Sequence, residues 1–176
     1  MKSIINVPLK SSIKFILVLL FITFSNKGFS QIYEPVKWKA SVEKISESEY
    51  NLVATAMIET GWHIYSQNVK QGGPIPTTFF FTENKGFKLI GKVTEEKGHT
   101  VMDETFNMKV KSFSNKASFR QKVQVQKGTQ KVEGSVEFMV CRETQCLPPT
   151  EIDLSFDLTK AKALKKKKTV APKKVY

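Results

Sequence analysis

Between Val36 and Leu158 apolar side chains recur at every second position, and the three-and-four spacing of an amphipathic helix is not sustained anywhere. Val36, Trp38, Ala40 and Val42 alternate with Lys37, Lys39, Ser41 and Glu43. Tyr50, Leu52, Ala54, Ala56 and Ile58 repeat the pattern after a polar break at Ser46 to Glu49. The stretch TTFFFT from Thr77 to Thr82 and the run from Phe87 to Val93 follow, joined by Glu83-Asn84-Lys85-Gly86, which suits a hairpin turn. Met108 to Phe113 is a further run, and after it come three alternating sets. These are Ala117, Phe119, Val123 and Val125; then Val132, Val136, Phe138 and Val140; then Ile152, Leu154, Phe156 and Leu158. A period of two leaves each strand with one face to bury, and stacking two sheets satisfies all of those faces at once. About seven to nine short strands with turn signals between them predict an all-β, antiparallel β-sandwich. No internal repeat is evident.

The flanks have a different character. Lys2, Lys10 and Lys14 precede the apolar run Phe15 to Phe24 (FILVLLFITF), and small residues stand at Gly28 and Ser30. That run suits a secretory signal, whose apolar region needs only about 7 to 15 residues, better than a membrane span. Residues 1–30 are therefore expected to be a signal peptide cleaved before Gln31, with an uncleaved anchor as the alternative. No cysteine follows to take a lipid, so the expected location is the periplasm or another exported, disulfide-permissive space. The net charge of +12 is unevenly placed: all acidic residues fall between 31 and 158, where Lys and Arg balance them, and the excess lies in the leader and the end. A basic groove in the folded part is thus disfavoured, and nucleic acid with it. Residues 159–176 (TKAKALKKKKTVAPKKVY) are Lys-rich and poor in core residues, and are expected to form a disordered tail, solvated or in weak contact with an anionic envelope surface.

The only two cysteines, Cys141 and Cys146, bracket Arg142-Glu143-Thr144-Gln145 and are followed by Leu147-Pro148-Pro149. An extended chain would hold their Cα atoms about 16 Å apart, against the roughly 4.4–6.8 Å that a disulfide needs, so the chain must turn if they bond. Val136, Phe138 and Val140 share the core face, so alternation puts Cys141 on the outward face, at a strand end where it should be reachable. Setting Cys141 opposite Cys146 also sets core-facing Val136 opposite outward-reading Glu151. One extra residue must then be absorbed, and Pro148-Pro149, which cannot donate to a ladder, is the natural place. As a staple the bond is weak: closing about six residues removes roughly 2 kcal/mol of unfolded-chain entropy, against nearly 5 for about a hundred. These arguments leave staple and redox reagent both open. Arg142 would lower a neighbouring thiol pKa and Glu143 would raise it, so the sequence does not say which thiol is activated. His63 and His99 do not have the spacing that would complete a zinc site with the cysteines, no metal or cofactor is expected, and no hydrolytic triad or carboxylate pair stands out.

Three stretches carry a resemblance: Gly61-Trp62-His63-Ile64-Tyr65-Ser66-Gln67-Asn68-Val69, Met102-Asp103-Glu104-Thr105-Phe106-Asn107-Met108, and Cys141 to Pro149 with its C-L-P-P. In order and spacing they resemble the N-terminal domain of the thiol:disulfide interchange protein DsbD, over about residues 35–158. The resemblance implies an immunoglobulin-like sandwich with an exposed redox-active cysteine pair. It implies that Cys146 forms mixed disulfides with partners and that Cys141 resolves them. It places Phe106 at the tip of a cap loop over the disulfide, with Glu104 and Thr105 beside it, and His63 and Tyr65 next to the cysteines. The partners it implies are thioredoxin-like or other envelope thiol proteins, met by a monomer. Better-known members place one more residue between the cysteines and continue into membrane-spanning and thioredoxin-like domains. A run of lysines stands here instead, so electron exchange with a separate protein is the expectation.

Overall fold

A computed structural model describes residues 33–163, and every element in them but one is a strand. In chain order they are β1 (Val36–Lys44), β2 (Glu49–Ile58), β3 (His63–Tyr65), β4 (Thr78–Phe81), β5 (Phe87–Glu95), β6 (His99–Asp103) and β7 (Met108–Ser114). They continue as β8 (Lys116–Val125), β9 (Lys131–Phe138), β10 (Val140–Arg142), β11 (Gln145–Cys146), β12 (Thr150–Asp157) and β13 (Lys162–Ala163), with a single 3-10 turn at Leu158–Lys160. One layer has the strand order β13-β1-β2-β8-β5. The other is divided into a core sheet, β12-β9-β4, and a second sheet, β11-β10-β3-β7-β6.

The alternation read from the sequence is what fills the space between the layers. Val42, Leu52, Ala54, Ala56, Ala117, Phe119 and Val123 from the first layer meet Val132, Val136, Phe138, Leu154 and Phe156 from the second, all buried in one cluster. Trp38 sits centrally, its ring 5.5–6.0 Å from those of Phe79, Phe119 and Phe138. Each fully buried side chain of this size stabilises the fold by about 1.5–3 kcal/mol, so any one of them matches a disulfide that closes six residues.

The long hairpin of β9–β10 against β11–β12 crosses from the core sheet into the second sheet, and its register shifts on the way. Thr150 pairs with Phe138 and Ile152 with Val136, whereas Cys146 pairs with Cys141 and Leu147 N–H donates to Val140 O at 3.0 Å. Between these two registers Pro148 and Pro149 stand against Met139 alone. The extra residue falls where two prolines, having no N–H, give up least.

Three expectations are corrected. Glu83 to Gly86 does not close a hairpin: β4 pairs with β9 and β5 with β8, so the segment passes from one layer to the other. The turn chemistry itself is present, with Gly86 N–H donating to Asn84 Oδ1 at 2.7 Å. Turn residues bend the chain without choosing partners, and Gly134 admits β4 to β9 because a Cβ there would lie 2.2 Å from Phe80 O. Secondly, order does not end at Leu158. Asp157 caps the 3-10 turn through Thr159 N–H at 3.0 Å, and Lys162-Ala163 pairs in parallel with Glu43-Lys44. Residues 164–176 and the expected signal peptide, residues 1–30, lie outside the described residues. Thirdly, Cys141 points away from the main core as alternation requires, yet it is wholly buried.

Candidate functional site

Cys141 is covered because the second sheet builds a small core of its own on its outward face. Cys141, Tyr65 and Val110 are buried together, and Val69, Phe106, Met108, Met139 and Cys146 pack against them. The cysteines form a disulfide with Cα atoms 4.1 Å apart, directly across β10 and β11. The neighbouring Val140–Leu147 pair is hydrogen bonded, which makes Cys141–Cys146 the close, non-hydrogen-bonded kind of cross-strand pair. Arg142 pairs with Gln145, leaving Glu143 and Thr144 as a two-residue turn with Glu143 at φ 50°. Arg142 lies over the Trp62 ring, 5.0 Å from its centroid, and anchors the turn on the segment leading into β3.

The two cysteines differ in burial. Cys141 is 0% exposed, whereas Cys146 is only half-buried.

β3 places His63 opposite Cys141, and Tyr65 two residues on along the same face. β6 and β7 form a hairpin closed by the pair Asp103–Met108, and Glu104, Thr105, Phe106 and Asn107 are its tip. That tip is the loop expected to act as the cap. Phe106 leans back into the sulfur cluster with its ring 6.2 Å from that of Tyr65, edge to face. Glu104 and Thr105 are exposed. All seven residues singled out in the sequence, Cys141, Cys146, His63, Tyr65, Glu104, Thr105 and Phe106, therefore belong to one sheet and its loops.

Asp103 was not singled out, although it organises the rest. Its Oδ1 accepts the N–H of Thr105 at 3.0 Å and of Phe106 at 3.2 Å, which fixes the tip as an Asx turn. Its Oδ2 accepts the Tyr65 hydroxyl at 2.7 Å. The Tyr65 proton being committed, its oxygen accepts from His63 Nε2 at 3.1 Å, so the donor chain runs His63 to Tyr65 to Asp103. Burial holds the His63 pKa below the ordinary histidine value against the opposing charge of Asp103. Burial, with the Asp103 hydrogen bond and charge, drives the Tyr65 phenol well above its usual range. Both rings are thus uncharged at neutral pH. The signal that could have revealed Asp103 is its place three residues before an aromatic at a hairpin tip. Val69 and Met139 had none, because they lie outside the strands.

Among the described residues no group of three or more His, Cys, Asp or Glu side chains is arranged to hold a metal ion. What the arrangement offers instead is a sulfur–sulfur bond between a buried and a half-buried cysteine, beside a loop whose Phe106 packs against the same cluster and whose backbone is pinned by one carboxylate.

The sequence profile described as "Thiol:disulfide interchange protein DsbD, N-terminal" matches residues 33–158. The chain belongs to this family. Its immunoglobulin-like antiparallel β-sandwich is the architecture seen here. Among solved structures, the N-terminal periplasmic domain of ScsB from Proteus mirabilis aligns with a TM-score of 0.53 at 14% identity. The alignment covers 73% of this chain and 49% of that one, so the matched part spans about half of that chain's length. The reduced DsbD N-terminal domain from Neisseria meningitidis aligns at 14% identity and a TM-score of 0.49, covering 72% of this chain and 90% of that one. No curated protein matches the chain in sequence. Among the described residues no helix is long and apolar enough to cross a membrane.

Proposed function

We propose that this domain is an exported thiol-disulfide exchange module that passes reducing equivalents between partner proteins through Cys141 and Cys146. A partner thiolate attacks Cys146 Sγ, the Cys141–Cys146 bond breaks, and the electron pair leaves on Cys141 as a thiolate that takes up a proton. The product is a mixed disulfide between Cys146 and the partner. Cys141 then attacks Cys146 Sγ and releases the partner reduced, or a second thiol completes the two-electron reduction of this domain; the reverse sequence reduces a partner. The observation that supports the reading is the asymmetry of burial, Cys141 being wholly buried and Cys146 only half-buried. Phe106 acts as the cap, with Glu104 and Thr105 beside it in the cap loop. His63 and Tyr65 form the wall against which the buried sulfur rests. Thioredoxin-like envelope proteins are the partner class, and export follows from the leader-like residues 1–30.

The test is a Cys141→Ser variant expressed in its native envelope. The expected result is a partner linked to Cys146, seen on non-reducing gels and identified by mass spectrometry. Trapping only through Cys141 in a Cys146→Ser variant, or no trapping at all, overturns the assignment of roles. The second reading, a bond that merely pins the hairpin, predicts resistance to reduction below about −300 mV, whereas an exchanging pair titrates at a higher potential.

A further inference from the structure

A groove of about 440 Å³ lies on the outer face of the second sheet, bounded by the Glu143–Thr144 turn on one side and by β6 and the cap loop on the other. Its lining carries three carboxylates, Asp103, Glu104 and Glu143, and no Lys or Arg. This is a local excess, because residues 31–158 contain as many basic as acidic side chains. Asp103 is already engaged by Tyr65 and the cap amides. Glu104 and Glu143 are exposed, and neither pairs with a basic side chain among the described residues. On the floor stands Ser112, 9% exposed, whose hydroxyl makes no hydrogen bond among the described residues. That oxygen is not among the side-chain atoms sealed from solvent without a partner, so the hydroxyl opens into the groove and is available to a ligand.

The groove also lies beside the hairpin that carries the disulfide. It runs from the turn separating the two cysteines to the loop that carries Phe106, with neither cysteine in its lining, and it is open while Phe106 packs against the cluster of Tyr65, Val110 and Cys141. Resting on the exchange function proposed above, we infer that this groove is the docking site for an extended, Lys- or Arg-bearing segment of the partner protein, lying beside the partner's reactive cysteine. Glu104 and Glu143 receive its cations, and the Ser112 hydroxyl bonds its main chain. Binding there precedes displacement of the cap and selects partners whose thiol sits in a basic neighbourhood, by the charge complementarity that steers encounter and rejects like-charged surfaces.

The experiment uses the isotope-labelled, oxidised full mature chain and a cysteine-free peptide, acetyl-Lys-Ser-Lys-Ser-Lys-amide, with its Glu-for-Lys counterpart as control. Amide shifts in the nuclear magnetic resonance spectrum map the contact. The lysine peptide should move the amides of His63, Ser112, Ser114 and Glu143 saturably, and the glutamate peptide should not. Glu104→Gln and Glu143→Gln should each weaken binding about threefold, the scale of one exposed ion pair. Salt at about 1 M, where the Debye length is roughly 3 Å, should abolish the preference. Equal binding of both peptides, or shifts centred on the acidic outer faces of β9 and β12, overturns the inference. So does displacement of the chain's own residues 164–176 from the groove, which would name them as the occupant. Since the probe has no sulfur, a failed mapping alongside successful trapping at Cys146 removes the groove and leaves the exchange function standing. Successful mapping with failed trapping does the opposite.

Discussion

At Asp103 one oxygen accepts the Tyr65 hydroxyl while the other accepts the amides of Thr105 and Phe106, so one carboxylate joins the ring packed beside Cys141 to the loop proposed as the cap. Asp103→Ala leaves the Tyr65 hydroxyl buried without an acceptor and frees the tip. It should cost about 1–3 kcal/mol of stability, read from urea unfolding, and speed reduction of the disulfide by dithiothreitol. Tyr65→Phe keeps the Asx turn and should accelerate reduction less. Equal rates in the wild type and Asp103→Ala would show that the carboxylate does not hold the lid. His63 gives a pH signature. Its folded pKa is lowered, chiefly by burial, so the unfolded chain binds a proton more readily. The stability it contributes is complete above its unfolded pKa of about 6.5 and is lost as pH falls from there through the lower folded value. Urea midpoints should therefore drop between pH 7.5 and 5.5, and His63→Phe should flatten that step. A resonance titration placing His63 above the ordinary value would contradict the sign.

Among the elements, those the sequence made legible are the ones whose alternation is long enough to average out exceptions. The faces of β1, β2, β8, β9 and β12 read correctly, because each has three or more alternating positions in one core. β3, β10, β11 and β13, at two or three residues each, are too short for a period to show. β6 carries exposed Val101 and Met102 at the sheet edge, so burial leaves no pattern in it. The burial of Cys141 was illegible for a related reason. Alternation says which side of a strand a residue takes, and it does not say whether a second cluster, here built on Tyr65 and Phe106, covers that side. The pairing of β4 with β9 hinges on Gly134, which no period marks. Gly134→Val would drive a side chain into Phe80 O and Phe81, and should cost about 1–3 kcal/mol through overpacking, with loss of amide protection in β4 before β8. Uniform protection in that variant would mean that β4 contributes nothing there.

For the molecule as a whole, the layers must hold the site sheet in register with the core, and apolar packing is not the only link. Glu95, at the end of β5 in the first layer, accepts from Ser66 Oγ at 2.6 Å and Lys111 Nζ at 2.9 Å through Oε1, and from Gln67 N–H at 2.9 Å through Oε2. Ser66 and Gln67 follow β3 directly and Lys111 lies in β7, so one carboxylate ties the first layer to two strands of the site sheet. Its side chain is only 8% exposed, while Lys111 keeps 30%. Burial alone would raise the Glu95 pKa, but the bonds from Ser66, Gln67 and Lys111 outweigh it, and the carboxyl is held below its usual value. The stability it supplies is therefore present above its unfolded pKa of about 4.3 and is lost as pH falls through the lower folded value. Glu95→Gln keeps the shape and two of the acceptor contacts but removes the charge, and it should cost about 1–3 kcal/mol at neutral pH, since Lys111 can still reach water. The same variant should lose less than the wild type between about pH 5 and 3, so that the two urea-midpoint curves converge on the acid side. Parallel curves across that range would show that Glu95 titrates alike in both states, and the tie between the layers would then rest on packing alone.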